Sequence, residues 1–128
     1  MTYSETCLFC KIAAGKIPSK EAYSDADVFA FHDIAPQAPV HLIIIPKTHI
    51  ATLNDLTAEN ADLIGKLVLA AKGLAKSNGL AERGYRLNFN CNADAGQSVF
   101  HIHLHLLGGK AMGWPPFPKV PESLDPKA

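Results

Sequence analysis

Apolar residues recur along this chain at two periods, and the change from one to the other marks out its elements. Val28, Ala30 and His32 alternate with Phe29, Phe31 and Asp33. With Glu21 to Ser24 before them, they predict two paired strands, 21–24 and 27–33, around a tight Asp25-Ala26 turn. Val40-His41-Leu42-Ile43-Ile44-Ile45-Pro46 is apolar on both faces and rich in β-branched residues, the pattern of a central strand, and Pro46 closes it. Leu63, Ile64, Leu67, Val68, Ala71 and Leu74 then recur at steps of three and four. That stripe predicts one long helix, with Thr57 as N-cap, Glu59 at the positive end of its dipole and Gly79 as its stop. Cys7 to Gly15 predicts a short helical turn ended by its glycine. Period two returns in Tyr85 to Cys91 and again in the run ending at Leu107, with the 92–98 loop between them. These two strands are expected to pair antiparallel. The pattern as a whole predicts an α+β fold: an antiparallel meander sheet covered by one long helix, with a short N-terminal helix. A single domain is expected over 1–117, followed by an aperiodic, flexible tail at 118–128.

The last strand carries the chemistry. His101, His103 and His105 alternate with Ile102, Leu104 and Leu106, so three imidazoles share one face and three aliphatic side chains the other. Each ring nitrogen withdrawn from water needs a partner, which leaves metal, phosphate or backbone. Just before them, Asp94-Ala95-Gly96-Gln97-Ser98 offers a glycine, an amide and a hydroxyl, the makings of an oxyanion-binding turn. Histidines beside such a turn point to phosphate chemistry. A core strand with backbone-bonded histidines, or a metal-only site, are the competing readings of the strand taken alone.

Composition narrows the partners. The 128 residues are 48% hydrophobic, enough for one core, and twelve basic residues balance twelve acidic ones. That balance argues against a nucleic-acid polymer or an anionic membrane as main partner. The N-terminus lacks the basic start and apolar run of a secretory signal, and no window approaches a membrane span, so a cytoplasmic location is expected. Cys7 and Cys10 stand at Cys-x-x-Cys spacing, half of a metal site or a redox pair, while Cys91 has no evident partner and reads as a packed thiol.

His101-Ile-His-Leu-His-Leu-Leu107, with Phe31-His32-Asp33-Ile34-Ala35-Pro36-Gln37-Ala38-Pro39 upstream, Ala95-Gly96-Gln97-Ser98 before it, and Gly108-Gly109 and Trp114-Pro115-Pro116 after it, resembles the histidine triad superfamily in its nucleotide-binding branch. The resemblance runs from Cys7 to Pro116. It implies hydrolysis of nucleoside phosphoramidates, or other purine nucleoside monophosphate conjugates, through a nucleotidyl-histidine at His103. A neutral imidazole suits this role, because its phosphorus adduct is labile and splits one hard displacement into two easier ones. Ser98 and His105 are the implied catalytic helpers, with Gly96 and Gln97 at the phosphate. His32, Asp33, Ile34, Asn90 and Trp114 are the further implied nucleotide contacts, Asp33 on the ribose hydroxyls. In members with this cysteine pair, the resemblance gives Cys7, Cys10, His49 and His101 as ligands of one structural zinc, and no catalytic metal. It also implies a homodimer whose subunits join their sheets, with Trp114 reaching the partner's site. His41 reads equally as support for a triad imidazole or as a satisfied core histidine; Lys47 and Lys110 read as solvated charges. A dinucleoside polyphosphate hydrolase, a non-catalytic nucleotide-binding regulator and a thiol oxidoreductase at Cys7 and Cys10 remain as alternatives. Gly108-Gly109 and the Trp-Pro-Pro word point away from the first of these.

Overall fold

A computed structural model describes residues 2–116; the tail expected at 118–128, and the first and last positions of the domain expected over 1–117, lie outside the described residues. Five strands, β1 (Glu21–Ser24), β2 (Val28–His32), β3 (Val40–Pro46), β4 (Tyr85–Phe89) and β5 (Leu104–Gly108), form one antiparallel sheet in the order β1-β2-β3-β5-β4. The first three strands are a plain meander. The long helix α2 (Ala61–Ser77) then carries the chain past the neighbouring place, so β4 takes the edge and β5 fills the gap beside β3.

Alternation assigns each strand residue to a layer. Val28, Ala30, Leu42, Ile44, Leu104 and Leu106 pack beneath α2 with Leu67, Ala71, Leu74 and Ala75. On the opposite face Phe29, Phe31, Ile43 and Ile45 meet Phe9 and Ile12 of the short helix α1 (Leu8–Ala13). β3 is therefore apolar on both sides because both of its sides are covered.

Three sequence expectations change. Thr57 caps a short 3-10 turn, Ala58–Asn60, rather than the helix itself: Asn60 Oδ1 accepts from the Thr57 amide at 2.9 Å, and α2 starts only at Ala61. Glu59 accordingly lies ahead of the helix. Val68 is 42% exposed, because the covered stripe is only as wide as Leu67, Ala71, Leu74 and Ala75. At the other end Gly79 stops the helix as expected: at φ +74° it lets the Leu80 amide turn back to the Ala75 carbonyl at 2.8 Å.

The third change matters for the site. Extended pairing was expected through all three histidines, yet β5 begins at Leu104, so His101 and His103 precede the ladder. Pro46 is the reason. It has no amide hydrogen to continue the pairing beyond Ile44 and Leu104, and its carbonyl accepts instead from His101 Nε2 at 2.7 Å. The alternation survives without the ladder, since Ile102 stays buried beneath α2.

Candidate active site and metal centre

The imidazoles are set by backbone groups, and each backbone partner decides where a proton sits. His103 Nδ1 lies 2.8 Å from the His101 carbonyl, which can only accept, so Nδ1 carries the hydrogen and Nε2 keeps its lone pair. The Gln37 amide donates to His41 Nδ1 at 3.0 Å, which places the proton of neutral His41 on Nε2. Nε2 then donates to His105 Nδ1 at 2.8 Å, so His105 holds its hydrogen on Nε2. That Nε2 is buried and has no hydrogen-bond partner among the described residues. The arrangement leaves a bare lone pair on His103 and an unused donor on His105, with the two rings 5.0 Å apart.

Electrostatics keep these rings neutral. Burial lowers the pKa of His41 and of His103 from the ordinary histidine value, and pushes His105 down to about 4 with help from His103 and His41. Asp33 opposes the shift at all three but does not reverse it. Phe9 of α1 stands edge-on to the His103 ring, with centroids 5.0 Å apart at 88°. His41 therefore does support a triad imidazole. Its residue type and strand were readable in the sequence; its partner, and the Gln37 amide and Phe9 ring, had no sequence signal because each meets the triad from a distant part of the chain.

The turn before the triad is built differently from the expected oxyanion cradle. The Gly96 amide donates to the Ala93 carbonyl at 2.9 Å and the Gln97 amide to the Asn92 carbonyl at 3.1 Å. The buried Gln97 side chain is equally committed: its oxygen accepts from the Asn92 amide, and its nitrogen donates to the Ala51 and Val99 carbonyls. The anion donors expected from Gly96 and Gln97 are thus spent on loop shape, which Gly96 permits at φ +80°. Ser98 stands exposed at the end of this loop.

Asp33 follows β2. One of its oxygens accepts from the Ala35 amide at 2.8 Å, the local turn bond, while the other lies 3.4 Å from His41 Nε2. His32 is half-buried beside it, Ile34 is fully exposed at 100%, and Trp114 is 84% exposed. Asn90, just beyond β4, accepts from the Asn88 side chain at 3.2 Å.

On the other side of His101 four metal-ligand side chains converge. Its Nε2 hydrogen goes to Pro46, so Nδ1 is a lone pair facing Cys7 Sγ at 3.3 Å, His49 Nδ1 at 3.3 Å and Cys10 Sγ at 3.5 Å. Cys10 Sγ is 3.4 Å from His49 Nδ1, and all four ligand atoms lie within 4.8 Å of one another. Tetrahedral bonds of about 2.0–2.1 Å to nitrogen and about 2.3 Å to sulfur have edges of roughly 3.3–3.8 Å, so the donor set fits one such ion. Cys7 is also the N-cap of α1, its sulfur accepting from the Cys10 amide at 3.3 Å, while the Ser4 amide donates to Cys10 Sγ at 3.5 Å. Cys91 is half-buried, away from this cluster.

Comparison with known proteins agrees with this geometry. Residues 6–114 match the family described as "Scavenger mRNA decapping enzyme C-term binding". The chain is 47% identical over 110 residues to the purine nucleoside phosphoramidase of Escherichia coli K12, covering 86% of this chain and 92% of that one. Among solved structures, a HIT family hydrolase from Legionella pneumophila is 55% identical with a TM-score of 0.87, over 88% of this chain and all of the other. A histidine triad protein from Clostridium difficile is 38% identical with a TM-score of 0.85, over 88% of this chain and 97% of its own.

Proposed function

The chain belongs to the histidine triad family, and from that premise we propose that it hydrolyses purine nucleoside phosphoramidates and similar nucleoside monophosphate conjugates through a nucleotidyl intermediate on His103. The observation that carries the proposal is the fixed tautomer of His103, whose Nε2 lone pair is presented beside the unused Nε2 donor of His105. His103 Nε2 forms a bond to the α-phosphorus as the bond to the amine breaks, and the departing nitrogen takes a proton from solvent to leave as a neutral amine. The ring keeps its Nδ1 hydrogen on the His101 carbonyl, which disperses the positive charge the imidazole acquires. His105 Nε2 donates to a non-bridging oxygen, and the Ser98 hydroxyl is assigned to the departing nitrogen or a second oxygen. Water then attacks the same phosphorus and gives a proton back to solvent, releasing the nucleoside monophosphate and restoring neutral His103. Asp33 takes the ribose hydroxyls, His32 and Ile34 flank the nucleoside, and Asn90 borders the phosphate.

Zinc is the ion proposed for Cys7, Cys10, His49 and His101. Four protein ligands leave no open position, so the ion would serve as a structural cross-link between the N-terminal segment and the sheet. The protein's own contribution there is to hold His101, and through its carbonyl the tautomer of His103. The working form is proposed as a single domain over 1–117 in a homodimer, with Trp114 at the partner's site. β4 supports this reading, since among the described residues it is a sheet edge with one neighbour. No helix among the described residues is long and apolar enough to cross a membrane, and a cytoplasmic location is proposed.

The test is turnover of an adenosine 5′-phosphoramidate with a fluorescent amine, run beside an adenosine polyphosphate. Fast amine release and an intact-mass adduct of one nucleoside monophosphate are expected for the wild type, with both absent in His103→Ala. Tight nucleoside monophosphate binding without turnover of either substrate would establish a regulatory binder instead.

A further inference from the structure

Gln97 is the one buried residue of the turn that precedes the triad, only 7% exposed between the exposed Gly96 and Ser98. Its side-chain amide has a single possible orientation. Oε1 faces the Asn92 amide at 2.9 Å, which can only donate, and Nε2 faces the Ala51 carbonyl at 2.9 Å and the Val99 carbonyl at 3.1 Å, which can only accept. The oxygen and both amide hydrogens are therefore engaged within the protein.

These bonds bracket Ser98. On its N-terminal side Gln97 is tied twice to Asn92, because the Gln97 backbone amide also donates to the Asn92 carbonyl at 3.1 Å. On its C-terminal side the Val99 carbonyl is held by the same side chain. Ser98 is thus a single residue between two points pinned by one amide, and its hydroxyl stands on backbone that Gln97 fixes at both ends. The bond to Ala51 refers this backbone to the triad. Ala51 follows Ile50, whose carbonyl accepts from the amide of Ile102, between His101 and His103, at 2.7 Å.

The clamp is kept against a conformational cost. Asn92 adopts φ +65°, which residues other than glycine rarely take, and its own side chain makes no capping bond that would offset this. Its amide and its carbonyl both go to Gln97, so the strained residue and the buried amide hold one another in place. Strain secured in this way marks a conformation that matters for what the turn carries, and the turn carries Ser98.

We infer that Gln97 is a positioning residue for the hydrolysis, its side-chain amide setting the direction of the Ser98 hydroxyl relative to the triad. This role rests on the hydrolase reading above, and it puts Gln97 behind the phosphate site rather than in contact with it.

A double-mutant cycle on an alkylamine phosphoramidate of adenosine tests it. Gln97→Met keeps the length of the side chain and removes all three of its bonds. It should lower kcat by the same factor as Ser98→Ala, roughly tenfold, less than the loss of a buried transition-state donor because Ser98 is exposed. KM should stay within about twofold of the wild type, and the double variant should be no slower than either single one. Losses that multiply in the double variant, or wild-type kcat in folded Gln97→Met, would overturn the positioning role. Asn92→Val decides the question if Gln97→Met does not fold. It opens the clamp from the exposed side, because a β-branched residue is not accommodated at φ +65°, and it should reproduce the same loss in kcat. Wild-type kcat in Asn92→Val would likewise overturn the role. An undiminished Ser98→Ala would remove Ser98's part, and Gln97's with it, while leaving His103 as nucleophile. Failure of the folded wild type to release amine would sink the hydrolase reading itself.

Discussion

At the scale of single residues, the site works through tautomers that the backbone dictates. Three acceptors or donors that cannot change role, the His101 carbonyl, the Pro46 carbonyl and the Gln37 amide, fix the hydrogen on every buried ring of the face. His41 is the link without which His105 could place its proton on either nitrogen. Replacing His41 with Ala should therefore lower kcat by about a hundredfold, in the range for loss of one aimed transition-state donor, while KM changes little. A comparable loss in KM alone would show that His41 only shapes the pocket. Neutrality gives a second expectation. His105 has a folded pKa of about 4 against an ordinary 6.5, so between these values the unfolded chain binds the additional proton. Its stabilisation is complete above about pH 6.5 and is lost as pH falls toward 4. Denaturant midpoints should therefore rise with pH across that window for the wild type, and more weakly for His105→Asn.

At the scale of elements, the sheet is a sorting device. One face of β3 and β5 supplies Leu42, Ile44, Leu104 and Leu106 to the helix, and the other supplies the imidazoles and the bed of α1. Leu67, fully buried in the middle of α2, belongs to the cluster that holds Leu42 and Ile44 of β3 and Leu104 and Leu106 of β5. Leu67→Ala should cost about 2–5 kcal/mol of stability in chemical denaturation while leaving the chemistry of the surviving folded enzyme intact. α1 is different, because six residues make a marginal helix and its anchorage comes from Phe9, Ile12 and the two cysteines. Protein purified without chelator should contain about one zinc per chain, and Cys10→Ala none. Equal metal in both would rule out the assignment. Since Phe9 lies against His103, the loss of metal should also disturb the His103 ring, visible as a changed imidazole resonance.

At the scale of the whole molecule, the sheet ends in two edges of unequal character. β1 is exposed except at Ala22, whereas every residue of β4 is half-buried within a single chain. Light scattering at micromolar concentration should give twice the chain mass; a monomer would remove the dimer and Trp114's part in a partner's site.

Much of this was legible beforehand, for a physical reason. Alternation and the three-to-four step record which side chains must leave water, so the strands, α2 and the two faces of β3 could be read from Glu21 through Leu107, whereas Cys7, Cys10, His49 and His101 came together as a ligand set only through the family resemblance. The motif words around His101, His103 and His105 added the chemistry. What the order of residues does not encode is which backbone group faces which ring. That Pro46 ends the ladder before His103, that Gly96 and Gln97 spend their amides inside the loop, and that Gln37 reaches His41 are outcomes of three-dimensional packing. The same holds for half-buried Arg86 and exposed Lys110, 24 positions apart in the chain, which the turn at Gly109 and the register of β4 against β5 bring to one cavity wall.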